Sequence, residues 1–151
     1  MKILLAVDGS KFSQAAIDEV IQRSWPPHTE VRILSVVHPF PFPLLPDPFN
    51  VGAACYYDSL KEERKRASRD IEDAERQIRE KAPHLTVASE RLEGSPKKMI
   101  VEEAERWGAD LIIVGTHGQG GVTRFPLGSV AQAVVAHAPC SVEVVRHLQA
   151  A

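Results

Sequence analysis

Cysteine and aromatic residues are scarce in this sequence, and neither sign of charge dominates. The two cysteines, Cys55 and Cys140, have neither the paired spacing of a metal site nor the density of a disulfide-rich domain. The net charge of -2 gives no general attraction to nucleic acid or to anionic lipid. We therefore expect no nucleic-acid partner and no membrane partner, and any anion-binding site must be local.

Long apolar runs are also missing. No run has the length of a membrane span, and the apolar stretch 3–7 after Met1-Lys2 is too short for the core of a signal peptide. Together with the low cysteine count, this pattern predicts a cytoplasmic protein. A chain of 151 residues can bury one core but is too short for two ordinary domains. We expect a single domain over residues 1–151.

Short apolar segments alternate with longer segments of helical period. The apolar segments predict five strands, at 3–7, 31–37, 85–92, 111–114 and 142–145. Four helices are predicted between them, each with apolar residues on one face. The second spans 58–81, the third begins with Ser95 as N-cap and Pro96 as its first residue, and the fourth spans 129–137.

This alternation predicts the α/β fold class, with an open parallel five-stranded sheet and helices on both faces. In such sheets, ligands bind at the carboxyl ends of the strands where the strand order reverses. Asp8 follows the first strand and Gly115 ends the fourth. We therefore expect both residues at the ligand-binding crevice.

The segment "GTHGQGGVTRFPLGS", residues 115–129, joins the fourth strand to the fourth helix. Gly115 and Gly118 can adopt positive φ and leave no side chain between the backbone and a bound group, so this loop can turn its N–H groups inward as an anion cradle. Gly128 and Ser129 open a helix whose N-terminus favours phosphate, with the Ser129 hydroxyl as a further donor. Two such devices in one connection suggest a di- or triphosphate. The alternative is that the glycines only turn the chain and that Ser129 caps the helix.

Two common nucleotide motifs are excluded in this segment. A P-loop ends in Gly-Lys-Ser/Thr, and no lysine lies between Gly115 and Ser129. The glycines at 118, 120 and 121 do not form the Gly-x-Gly-x-x-Gly pattern that opens a helix in dinucleotide-binding folds. A different kind of phosphate loop is therefore needed.

The spacing Gly115-x2-Gly118-x9-Gly128-Ser129 resembles the phosphate-binding signature of the universal stress protein family, in its ATP-binding subgroup. Three segments match in order over nearly the whole chain. "ILLAVDGS" is similar to the family's first strand and its Asp turn, "GSPKKMIVEEAERWGADLIIVGTHG" to its third helix and fourth strand, and "LGSVAQAVVAHAPCSVEVVR" to its ending. The resemblance implies the strand order 3-2-1-4-5 and an adenine nucleotide alpha hydrolase-like fold.

The resemblance also implies a set of binding residues. Asp8 would contact the adenosine portion, and Val36 would contact adenine through its backbone, while Val114 and Gly115 would line the sugar side. The residues implied around the phosphates are His117, Gly118, Gly128, Ser129 and Val130. The implied ligand is ATP, accompanied by Mg²⁺ or Mn²⁺.

Simpler interpretations stay open for two of these residues. Asp8 is alternatively the cap of the first helix, since Asp-Gly-Ser is a common turn. His117 is alternatively an exposed loop histidine.

The resemblance also implies a homodimer built through the last strand. We favour a stress-response regulatory module, in which bound ATP changes the surface of the dimer or the choice of a protein partner. One alternative is a slow ATPase or phosphotransferase, for which the sequence offers Asp8 as the one acid expected near the site and His117 as a candidate to orient the attacking group, but no Walker lysine and no assigned catalytic residue. Another is a dimeric scaffold with an unused nucleotide site. A phospho-acceptor receiver domain shares the sheet layout, but Asp8 stands alone and the fifth strand ends in Arg146.

The segment "HPFPFPLLPDPFN", residues 38–50, departs from the family's common pattern. Its five prolines exclude a regular helix or a central strand. We predict a proline- and aromatic-rich loop insertion over residues 38–57, which places Cys55 in a loop. Its three phenylalanines either fold back on the core, which we favour, or form a lid or a docking arm for a partner.

Overall fold

The computed structural model of the chain describes residues 1–40, 48–49, 51–120, 124 and 126–147. Its elements in chain order are β1 (Lys2–Ala6), α1 (Lys11–Gln22), β2 (Glu30–Val37), α2 (Val51–Lys81), β3 (Thr86–Glu93), α3 (Pro96–Trp107), β4 (Leu111–Gly115), α4 (Ser129–His137) and β5 (Ser141–Val145). The strands form one parallel sheet in the order β3-β2-β1-β4-β5. The predicted fold class and strand order are confirmed.

The sheet is buried on both faces because successive side chains of a strand point to opposite sides. On one face, Ile3 and Leu5 of β1 pack in a core that includes apolar residues of α1 and α2. On the other face, Leu4 packs in a second core with residues of α3 and α4. β1 pairs with β2 on one side and with β4 on the other, so the strand order reverses at β1 and β4. Their carboxyl ends form the crevice that the sequence predicts.

The second helix begins earlier than the sequence predicts. α2 starts at Val51 rather than at residue 58, so the predicted loop over 38–57 is wrong for its last seven residues, and Cys55 lies on an exposed helical surface. The segment 51–57 contains no proline and two alanines, and alanine has the highest helix propensity. Residues 41–47 and 50 of the predicted insertion lie outside the described residues.

A buried carboxylate fixes α3 on the sheet. The apolar residues Ile100 and Ala104 of α3 are buried, and Glu103 is buried with them. Glu103 Oε1 accepts a hydrogen bond from Arg32 Nη1 of β2 at 2.5 Å, and its Oε2 accepts one from Arg106 Nε at 2.7 Å. Glu103 is buried, whereas its partners Arg32 and Arg106 are 21% and 61% exposed. The pair therefore holds α3 against β2.

In the part of the chain that the structure describes, no helix is both long enough and apolar enough to cross a bilayer. α2 is long, with 31 residues, but its surface is rich in charge.

Candidate functional site

A cavity of about 350 Å³ lies at the carboxyl ends of β1, β2 and β4. Its walls come from these strand ends, from α2, from the connection between β4 and α4, and from the first turn of α4. Eight of the nine predicted site residues line it, namely Asp8, Val36, Val114, Gly115, His117, Gly118, Gly128 and Val130. Ser129 is not among the lining residues. Residues from three separate parts of the sequence thus meet in one concave site.

Asp8 connects the end of β1 to the segment that joins β4 to α4, residues 115–129, which we call the glycine-rich segment. Its Oδ1 accepts a hydrogen bond from the Ser10 N–H at 3.0 Å, and its Oδ2 accepts one from the Gln119 N–H at 2.9 Å. The N-cap of α1 is Ser10, whose Oγ accepts a hydrogen bond from the Ser13 N–H at 3.1 Å. The interpretation of Asp8 as the helix cap is therefore wrong. Asp8 instead sets the position of the glycine-rich segment at the cavity wall.

The glycines of the site are required by close approach rather than by positive φ. Among the described glycines, positive φ occurs at residues 9, 94, 108 and 120, so this expectation is wrong for Gly115 and Gly118. A Cβ at Gly118 would lie 2.9 Å from Asp8 Oδ2. A Cβ at Gly115 would lie 2.6 Å from the carbonyl carbon and oxygen of Phe12. Gly118 makes room for the Asp8 carboxylate, and Gly115 lets α1 pack against β4.

The two ends of the connection between β4 and α4 meet at the cavity. The Gly128 N–H donates a hydrogen bond to the Thr116 carbonyl at 2.7 Å, and a Cβ at Gly128 would lie 3.2 Å from His117 Cα. The ring of His117 packs against that of Phe12, with 5.1 Å between centroids. His117 is half-buried and lines the cavity, so the alternative of an exposed loop histidine is wrong.

The N-terminus of α4 faces the cavity without a side-chain cap. Gly128 is its N-cap residue and has no side chain that could accept a hydrogen bond from the first turn. Ser129 is the first helical residue and is exposed, so its interpretation as the cap is wrong. Val130 and Ala131 of the first turn line the cavity. The N–H groups at this end, and the positive end of the helix dipole, suit an anion.

One wall of the cavity comes from α2, which the sequence analysis did not connect with the site. Glu63, Arg66 and Asp70 of this helix line the cavity. Burial raises the pKa of Asp70, and the nearby charge of Asp8 raises it further. The three residues are spaced by three and four positions and flank the buried residues Ala67 and Ile71. This periodicity predicts which side of α2 faces the core, but it does not predict which turns of the helix line the cavity.

Acidic side chains that line the cavity could help to bind a divalent cation there. Among the described residues that line the cavity, Asp8, Glu63 and Asp70 are acidic, and Arg66 is the only lysine or arginine. The described residues contain no group of three or more His, Cys, Asp or Glu side chains that could hold a metal ion. Mg²⁺ at nucleotide sites is commonly bound by one or two carboxylates together with phosphate oxygens. The residues fit a cation that enters with a phosphate ligand.

The end of the cavity near β2 carries an exposed aromatic side chain. Val36, His38 and Phe40 line this end. Phe40 is 70% exposed and Phe49 is 84% exposed, so the expectation that the phenylalanines fold back on the core is wrong for these two. The third phenylalanine of the segment, at residue 42, lies outside the described residues.

Comparisons with known proteins agree with this geometry. The sequence model of the universal stress protein family matches residues 1–146. A universal stress protein of Methanocaldococcus jannaschii is 36% identical over 145 residues, which cover 96% of this chain and 81% of that protein.

Solved structures of the same fold are also similar. The universal stress protein UspA of Lactobacillus plantarum has a TM-score of 0.70 and 29% identity, and the match covers 97% of each chain. A family protein of Arabidopsis thaliana, solved with AMP bound, has a TM-score of 0.71 and 18% identity over 98% of this chain and 92% of that chain. These matches agree with an adenine nucleotide alpha hydrolase-like fold. The chain belongs to the universal stress protein family.

Proposed function

We propose that this protein is a member of the ATP-binding subgroup, that it binds ATP with Mg²⁺ or Mn²⁺ in the cavity at β1 and β4, and that it acts in the cytoplasm as a dimeric stress-response module. The observation that carries the proposal is the convergence of Asp8, Gly118 and the uncapped start of α4 on one cavity. AMP bound to an Arabidopsis protein of the same fold supports an adenine nucleotide as the ligand class.

In this proposal the nucleotide lies across the reversal point of the sheet. Adenine occupies the end near the Val36 backbone, and the Asp8 carboxylate contacts the adenosine portion. The sugar lies along Val114 and Gly115. The phosphates lie at Gly118 and at the first turn of α4, where N–H groups and the helix dipole stabilise negative charge.

Binding is better supported than hydrolysis. Hydrolysis of ATP requires a residue that orients the attacking water and cations on the phosphates. Both oxygens of Asp8 accept backbone hydrogen bonds, so the role that the structure shows for Asp8 is to position the glycine-rich segment. With Mg²⁺ and ATP, we expect saturable binding and no release of inorganic phosphate over hours in a phosphate assay. Release that follows the protein concentration would instead support the slow ATPase.

A dimer through β5 is the second part of the proposal. β5 is an edge strand of the sheet, and the side chains of Val142 and Val144 are only half-buried. Val135 on α4 is 52% exposed. Pairing of two edge strands covers unpaired backbone groups and these valines together. Sedimentation of the purified protein at the mass of two chains would support this assembly.

The position of Ser129 leads to a prediction about phosphate number. Ser129 is exposed at the start of α4 and lies beyond the lining of the cavity, so only a longer phosphate chain reaches its hydroxyl. We expect Ser129→Ala to weaken ATP binding about fivefold and AMP binding less than about twofold, because one hydrogen bond to a charged group is lost. Calorimetric titration with both nucleotides measures this difference. Equal losses would make the role of Ser129 structural.

A further inference from the structure

The α2 wall of the cavity carries one cation and two acids, and a third acid, Asp8, follows β1. Asp8, Glu63 and Asp70 make the described lining negative, and Arg66 is its only lysine or arginine. A polyphosphate that enters this cavity is repelled by these carboxylates unless a cation offsets them. Arg66 lies on α2 within reach of Gln119 in the glycine-rich segment, and the segment's own arginine, Arg124, is not among the described residues that line the cavity.

The contacts of Arg66 leave most of its hydrogen-bonding capacity unused. Its Nη1 lies 3.4 Å from the side-chain Oε1 of Gln119 and 3.4 Å from Oε1 of Glu63. A guanidinium group has five N–H donors in a planar fork, and both of these contacts are long for hydrogen bonds. About half of the side chain is exposed, at 51%. The guanidinium can therefore turn toward a ligand at small cost.

Arg66 lies beside the part of the cavity to which the proposed function assigns the phosphates. Gln119, which its guanidinium contacts, follows Gly118, and the Gln119 N–H is fixed by Asp8 Oδ2 at 2.9 Å. The guanidinium fork matches the oxygen spacing of a phosphate group and binds it through paired hydrogen bonds.

We propose that Arg66 binds the phosphates of the nucleotide and sets the preference of the site for nucleotides with more than one phosphate. This inference deepens the proposed function and rests on it. Arg66 bridges α2 and the glycine-rich segment through the ligand and supplies a positive charge at the cavity, whose described lining does not include the segment's own arginine, Arg124.

The test compares one charge-removing substitution with a matched one on the same helix. Dissociation constants of adenosine, AMP, ADP and ATP, each with Mg²⁺, are measured by calorimetry for the wild type, Arg66→Gln, Arg66→Lys and Arg69→Gln. Arg69 is exposed and does not line the cavity, and its removal makes the same change in net charge. Thermal unfolding without nucleotide checks that each variant folds.

We expect Arg66→Gln to weaken ATP binding about tenfold and adenosine binding less than about twofold, because the lost interaction is made by phosphate alone. Arg66→Lys retains part of the ATP affinity, since it keeps the charge without the fork. Arg69→Gln changes every affinity by less than about twofold, as expected for an exposed charge.

Two results would overturn the inference while the proposed function stands. One is that the wild type binds ATP and that Arg66→Gln binds ATP with the same affinity. The other is an equal loss for adenosine and ATP, which would make Arg66 only a part of the wall. A folded wild type that binds none of the four ligands would overturn both proposals.

Discussion

Replacement of Gly118 by leucine is expected to abolish measurable ATP binding and to leave the protein folded. The Cβ atom alone would lie 2.9 Å from Asp8 Oδ2, so the carboxylate must leave the position in which it accepts the Gln119 N–H. The rest of the leucine side chain obstructs the path of the phosphates. We expect the dissociation constant to rise about a hundredfold or more, or about 2.7 kcal/mol in binding free energy.

The control for this variant is Gly120→Asn in the same segment. Gly120 has φ +66°, which asparagine tolerates, and a Cβ there meets no atom of the described residues within 4 Å. We expect this variant to bind ATP within about threefold of the wild type. Calorimetry measures affinity, and circular dichroism at rising temperature measures folding. Unchanged ATP affinity in Gly118→Leu would remove the glycine-rich segment from the phosphate site.

Replacement of Gly115 by alanine is expected to destabilise the fold strongly. A Cβ there would lie 2.6 Å from both the carbonyl carbon and the carbonyl oxygen of Phe12, which belong to the backbone of α1. Backbone within a packed helix cannot yield as a flexible side chain can, so α1 must shift away from β4. We expect a loss of about 3 kcal/mol in the free energy of unfolding, at the upper end of the usual cost of overpacking.

Urea denaturation measures this loss, and Gly108→Ala is its control. Gly108 ends α3 with φ +71° and has open space around it, so alanine there suffers backbone strain alone, about 1 kcal/mol. A Gly115→Ala protein as stable as the wild type would show that α1 is free to move, and would contradict the packing role of this glycine.

Much of the fold follows from local sequence signals. Apolar runs mark the buried strands, and the Ser95-Pro96 start and the 129–137 bounds of the last helix agree with the structure. The start of α2 was missed because a proline-rich segment precedes it and Cys55 and two tyrosines occupy its first turns. The burial of Glu103 was not predicted, because it depends on a hydrogen bond to Arg32, a residue of another element.

The site was predictable where its residues lie at strand ends. Asp8 and Gly118 follow two strands that parallel pairing brings together, so their convergence follows from topology. The contribution of Arg66 and Asp70 depends on the rotation and axial position of α2, which tertiary packing sets. The glycines were predicted for positive φ, which is wrong, and for the space that they leave beside a bound group, whereas their close approach to Phe12 or Asp8 leaves no local trace in the sequence.

The most direct test of the central claim is a calorimetric titration of the purified protein with ATP, with and without Mg²⁺. We expect one ATP to bind per chain, with an affinity at least about tenfold higher when Mg²⁺ is present. Three acidic side chains and one arginine line the cavity, so the cation is needed to offset the phosphate charge. A folded protein that binds no ATP under either condition would contradict the account and leave the cavity without a nucleotide role.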